Sequence, residues 1–211
     1  FMLRNAGCSG ILCSDDALGE VEAVRGAAPG LRWIFVVASG ETAPDLSRNA
    51  GTEPLRAALE TNAETIDVRA DGPMAPLQIM YTSGTTGDPK GIVGHNFRFC
   101  ASQILAGMFG YQADERPYTG LSFTHGNAQA VTLAPTLYHG YRGVFSCRFT
   151  KSRLWDICRR HGVTSFSLVG GMATAIYSEP PRPDDADNPV RMVVSGGMPA
   201  AIWEAFEKRF D

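Results

Sequence analysis

Leu77-Gln-Ile-Met-Tyr-Thr-Ser-Gly-Thr-Thr-Gly-Asp-Pro-Lys-Gly91 is the most informative run in the chain. Its opening residues Leu77, Ile79, Met80 and Tyr81 have the apolar content of a short buried strand. Thr82, Ser83, Gly84, Thr85, Thr86 and Gly87 follow as a loop of small residues bearing four hydroxyls. Gly84 and Gly87 admit positive φ, so successive N–H groups can turn inward as a concave anion nest. The hydroxyls add donors at the same mouth. Lys90 brings a positive charge, and Pro89 stiffens its approach. Charge-assisted hydrogen bonds contribute about 1.5–3 kcal/mol each, so a few of them hold a polyphosphate. Clusters of Gly, Ser and Thr are usually plain surface turns. The preceding strand, the spaced lysine and the helical pattern that follows favour a phosphate-binding loop. A Walker-type loop ends in Gly-Lys-[Ser/Thr], whereas Lys90 precedes Gly91, which argues against an ordinary P-loop NTPase.

Bulk composition narrows the class further. A chain of 211 residues can bury a substantial core. Its 44% hydrophobic and 19% charged residues are ordinary for a globular protein. A net charge of -3 leaves no basic footprint for nucleic acid. No apolar run has the length of a membrane span, and no signal-peptide pattern opens the chain. The five cysteines (Cys8, Cys13, Cys100, Cys147, Cys158) show no Cys-x-x-Cys or metal spacing. Reduced, mostly buried thiols in a cytoplasmic protein are expected. Phe1 reads as part of a helix end and Asp211 follows a helix, so the fold is expected to be incomplete at both ends. Oligomeric state is not readable.

Strand and helix patterns alternate along the chain. Gly10–Cys13 is a strand candidate, with Asp15 or Asp16 as caps for a helix carrying Leu18, Val21 and Val24. Residues 31–38 (LRWIFVVA) suit a buried parallel strand. Ser39–Gly51 reads as a loop, Pro54 as a helix start, and Thr65–Val68 as an edge strand. A helix is predicted over 95–109, capped by His95, with Phe97, Ala101, Ile104, Leu105 and Met108 on its inner face. Its N-terminus is expected to face the phosphate loop, where the helix dipole would favour an anion. Gly120–His125 reads as extended, and Pro135 should kink the helical run after it. Strands over 141–147, 163–169 and 190–195 alternate with helices carrying Leu154, Trp155 and Cys158, then Met172–Tyr177, then Ile202, Trp203, Phe206 and Phe210. Pro180–Pro189, with Asp184, Asp185 and Asp187, reads as a solvated turn, and Trp33, Trp155 and Trp203 as core residues. The alternation implies an α/β fold of layered, mostly parallel sheets with helices on their faces. Ligands of such sheets collect at the strands' carboxyl ends. There the signature loop, the His125 segment and Ser195–Pro199 would form one site.

From spacing alone His125 is more often structural than functional, and Gly170-Gly171 can be simple close packing. Ser195-Gly-Gly-Met-Pro199 can be a plain strand-to-helix turn, or a place where backbone approaches a flat ring that side chains would block.

Tyr81–Gly91 resembles, without departure, the YTSGTTGxPKG signature of the adenylate-forming acyl-CoA synthetase and luciferase superfamily. The resemblance implies that residues 1–211 are part of a large AMP-binding domain. It implies activation of a carboxylic acid by ATP, then transfer of the acyl group to coenzyme A. It assigns Thr82, Ser83, Gly84, Thr85, Thr86, Gly87 and Lys90 to the phosphates, with Thr82, Lys90 and His125 catalytic and Mg²⁺ bridging the phosphates. Gly196, Gly197 and Met198 correspond to the family's adenine-lining Gly-Gly-Ala-Pro. Gly170, Gly171 and Met172, with His125, fall where the family builds its acyl pocket. Leu121-Ser-Phe-Thr-His125 departs from the family's Leu-Pro-Leu-Phe-like run at the proline and the second aromatic. The run Phe145–Phe210 is similar to crotonobetaine/carnitine–CoA ligases. The family's Mg²⁺-binding Glu, ribose-binding Asp and catalytic Lys would lie beyond Asp211, so the 211 residues alone are expected to be inactive. A non-catalytic nucleotide binder and a module that loads a carrier protein are the alternatives.

Overall fold

The computed structural model describes residues 1–61, 64–65, 67, 71–82 and 87–211. The chain divides into two compact units, Phe1–Ala70 with Tyr81–Val93, and Asp71–Met80 with Gly94–Asp211.

The first unit contains α1 (Met2–Asn5), β1 (Gly10–Ser14), α2 (Leu18–Arg25), β2 (Trp33–Val37), β3 (Thr52–Pro54) and α3 (Leu55–Glu60). Its strands form a parallel sheet in the order β1-β2-β3. Period-2 alternation sends Ile34 and Val36 of the central strand inward, where they meet Leu18, Val21, Ala28 and Leu31. Trp33 is not a core residue. It is 44% exposed and lies over Gly10, its partner across the strand pair, where an added Cβ would sit 1.8 Å from the indole. Val24 also turns outward. Asp15 does not bond to the start of α2; its carboxylate accepts N–H bonds from Asp16 at 2.9 Å and Ser39 at 3.0 Å. Strand β3 is an element the sequence reading missed. Thr65 and Asp67 are not in a strand, and Ile66 and Val68 lie outside the described residues.

Strands β4 (Pro76–Thr82) and β5 (Lys90–His95) pair as a separate two-stranded sheet. The signature strand is therefore present but not buried. Gln78 and Met80 face inward, while Leu77 and Ile79 are 52% and 44% exposed. β5 also separates the signature loop from the next helix. The dipole contribution expected of that helix concerns loop residues 83–86, which lie outside the described residues.

The second unit adds α4 (Asn96–Ser102), α5 (Ile104–Phe109), β6 (Pro117–Thr119), α6 (Ala134–His139), β7 (Val144–Phe145), α7 (Leu154–His161), β8 (Ser165–Val169), α8 (Met172–Tyr177), β9 (Met192–Gly196) and α9 (Trp203–Phe210). The helix predicted over 95–109 breaks at Gln103, and His95 makes no side-chain cap. Its apolar stripe faces outward at Phe97, Ile104 and Met108, because the small side of α5 around Ala106 is what packs against the neighbouring helices. Gly120–His125 is a loop after β6, not a strand. Pro135 acts through a π-helical segment, Ala128–Leu133, that leads into α6. Proline offers no N–H to the carbonyl four residues back, Val131; the Tyr111 hydroxyl donates there at 3.1 Å. Burial pushes the Tyr111 phenol up to about 12.

Strands β7-β6-β8-β9 form an all-parallel sheet. Tyr118, Phe166 and Leu168 on one face meet Leu154, Trp155 and Cys158 of α7, Ala173 and Ile176 of α8, and Phe206 and Phe210 of α9. Trp155 stacks on Phe210 at 4.5 Å and meets Phe166 edge-on at 5.7 Å. Trp203 instead turns outward and donates its Nε1–H to Glu207 at 2.7 Å. Asp185 is no solvated turn residue: it is buried, taking a 2.7 Å ion pair from Arg209 and the Arg182 N–H at 3.0 Å. The thiols are not mostly buried either. Cys100 and Cys147 are exposed, and Cys158, whose pKa burial pushes up to about 12, lies in the core.

Candidate functional site

All four strands of the second unit's sheet run the same way, so Thr119, Val169 and Gly196 end at one edge. The loops leaving that edge carry His125, Gly170-Gly171 and Gly197-Met198. Val169 pairs with Gly196, which puts the two Gly-Gly pairs side by side. Gly170 has φ 53° and Gly197 φ 123°, a region L side chains rarely adopt. A Cβ on Gly197 would point toward the Gly170 backbone, 3.8 Å from its N, and nothing lies within 4 Å of one on Gly170 or Gly171. Four absent side chains thus leave bare backbone at adjacent strand ends, a surface a planar ring can approach. Ser195 Oγ, just before this turn, is buried without a partner among the described residues.

Met172 and Met198 are half-buried and pack against the core cluster, so their side chains support the two turns from beneath. Met198 also borders a cavity of about 360 Å³, shared with Ser195, Trp203 and Phe206.

His125 is exposed on its loop. Its N–H donates to Ser122 O at 2.9 Å, and its carbonyl accepts from Gln129 N–H at 3.3 Å, so the turn that carries it closes on itself. The Ser122 hydroxyl accepts the Thr124 N–H at 3.2 Å. Gln129, which the sequence reading passed over, holds this loop by donating its Nε2–H to Phe123 O at 2.7 Å. Gln129 also forms a reciprocal amide pair with Gln78 of β4, at 2.7 and 3.0 Å. No local pattern announces a contact between residues 51 apart. A glutamine on the inward face of an otherwise apolar strand was the available signal.

Ser83, Gly84, Thr85 and Thr86 lie outside the described residues. Of the signature positions that are described, Thr82 and Lys90 are exposed at the facing ends of β4 and β5, with Thr82 Oγ1 3.5 Å from Lys90 O. β4, the strand that leads into the signature loop, belongs to the two-stranded β4–β5 sheet and not to the four-stranded sheet.

The family model described as AMP-binding enzyme matches residues 1–211. Human long-chain fatty acid transport protein 5 is 34% identical over 136 residues, 64% of this chain and 20% of that protein. Human long-chain fatty acid transport protein 1 is 27% identical over 213 residues, 100% of this chain and 32% of that protein. The chain thus spans between 20% and 32% of the length of these relatives. In fold it is similar to the anthranilate CoA ligase AuaEII solved with anthranoyl-AMP, with TM-score 0.83 and 21% identity over 99% of this chain and 40% of that one. ATP-bound MatB from Rhodopseudomonas palustris gives TM-score 0.77 and 17% identity over 99% of this chain and 39% of that one. With the whole chain matched by the family model, this chain belongs to the AMP-binding enzyme family, the adenylate-forming superfamily that its signature resembles.

Proposed function

We propose that the protein activates a carboxylic acid with ATP and passes the acyl group to coenzyme A. A carboxylate oxygen bonds to the α-phosphorus and pyrophosphate leaves. The coenzyme A thiol then attacks the acyl carbon of the adenylate, losing its proton, and AMP departs. The observation that carries this reading is the family match across residues 1–211, joined to an unbroken Tyr81–Gly91 signature.

In this reading Thr82 offers a hydroxyl and Lys90 a cation to the phosphates, and most of the catalysis is positioning and charge neutralisation. Gly196 and Gly197 admit the adenine ring because no side chain stands in its way. Gly170, Gly171 and Met172 border the acyl group, with His125 at its entrance. Magnesium would offset polyphosphate charge, but among the described residues no three His, Cys, Asp or Glu come together to hold a metal. The metal therefore enters no step derived from this chain.

The names of the relatives favour a long-chain fatty acid as the acid; the similarity of Phe145–Phe210 to carnitine-type ligases keeps a small polar acid as the second reading. Acid-dependent ATP–pyrophosphate exchange over a panel spanning long-chain fatty acids, crotonobetaine and carnitine tests this. Exchange with the fatty acids and release of their coenzyme A thioesters is expected. ATP binding without exchange points to a non-catalytic nucleotide binder, and acylation of a carrier protein in place of coenzyme A to a loading module.

A further inference from the structure

Strand β4 ends in the signature loop, yet its midpoint is tied to the loop that carries His125. Gln78 and Gln129 exchange two amide hydrogen bonds at 2.7 and 3.0 Å, and the second N–H of Gln129 reaches Phe123 O at 2.7 Å. Both side chains are half-buried, so water competes less for these bonds than at an open surface. Neighbouring residues make room for the arrangement. The Gln78 side chain lies across Gly94 of β5, where an added Cβ would come within 3.1 Å of Gln78 Cγ. Met80, two residues further along β4, approaches Gly126 at the start of the helical run, 3.9 Å from an added Cβ. The inward face of β4 thus rests on the first turns of the helix that follows His125.

We infer that Gln129 is a positioning residue, and that the Gln78–Gln129 pair makes the His125 loop follow the strand that ends in the signature loop. The inference rests on the acid-activation reading above. A nucleotide gripped by the signature loop fixes β4 lengthwise. Gln78 is four residues before Thr82 on that strand, and it carries the restraint to Gln129, which holds the carbonyl two residues before His125. Neither glutamine touches a reacting atom in this scheme.

The test combines amide exchange of residues 121–125, with and without ATP, and steady-state kinetics of the protein and its variants. ATP is expected to slow exchange over 121–125 in the unaltered protein, and Gln78→Ala to abolish that response while leaving ATP affinity unchanged. Gln129→Ala is expected to lower kcat/KM for the acid on the order of tenfold, the effect of one lost hydrogen bond, with KM for ATP unmoved. The double variant should be no slower than Gln129→Ala alone, because both residues act through one link. Gln129→Glu can still accept from Gln78 but cannot donate to Phe123, so it should free the loop without opening a cavity. An ATP response that survives in Gln78→Ala, no response in the unaltered protein, or fully additive kinetic effects would each overturn the coupling. The two readings fail separately. A lost ATP response in Gln78→Ala in a protein without acid-dependent exchange keeps the coupling and removes the activity, and the reverse pattern keeps the activity alone.

Discussion

The four-stranded sheet of the second unit and the β4–β5 sheet are held by different physics. In the former, Phe166 and Leu168 of β8 are 1% exposed and face α7, α8 and α9. In the latter, Leu77, Ile79, Ile92 and Val93 all stand more than two-fifths exposed, so burial contributes little on that face. Polar links at defined points do the holding: Asn96 N–H to Ala75 O at 3.0 Å, Phe97 N–H to Pro73 O at 2.8 Å, and the Gln78–Gln129 pair. A parallel sheet buried on its faces is rigid because its packing is dense. A two-stranded sheet pinned by hydrogen bonds can shift when a ligand pulls on its loop. The difference suits the proposed division of labour, in which glycine-bared strand ends hold a fixed surface and the signature sheet responds to nucleotide.

Mutations sharpen the contrast. Phe166→Ala should cost about 3–5 kcal/mol in denaturant unfolding, by loss of transfer energy plus a cavity under Trp155. Asp185→Ala should approach a comparable loss, about 3–5 kcal/mol, because it leaves Arg209 without its partner in a site where the two side chains are 14% and 7% exposed. A much smaller loss would mean that the 180–189 loop is solvated as its composition suggests. Ser167→Ala should be neutral or stabilise by roughly 1 kcal/mol, since its hydroxyl is buried without a partner among the described residues; clear destabilisation would reveal a hydrogen bond to an ordered water. Smallest of all, Ile79→Ser should change stability by no more than about 0.5 kcal/mol, its side chain being 44% exposed. A loss as large as that of Phe166→Ala would erase the distinction between the two sheets.

Much of this architecture was legible in advance. The β–α alternation, the apolar runs behind β2, β8 and β9, and the helical faces of Leu154, Trp155 and Cys158 or Phe206 and Phe210 announce themselves by local periodicity. What failed had a common cause. Trp33 and Trp203 read as core because they are large and apolar, but one covers a glycine and the other bonds a glutamate on its own helix. Phe97, Ile104 and Met108 form a regular stripe, yet the neighbouring helices lie on the other side. Asp185 looked solvated because its stretch is acidic and rich in proline, while Arg209, which pairs with its carboxylate, is 24 residues away.

By itself the sequence determined the parallel α/β class, the small-residue signature and the two Gly-Gly turns, because each follows from backbone chemistry within a few residues. Only the tertiary structure decided that Gly170-Gly171 lies beside Gly196-Gly197, and that Gln78 reaches Gln129. Those pairings depend on strand order and helix orientation, which are set by the fit of whole faces and leave no local mark in the chain.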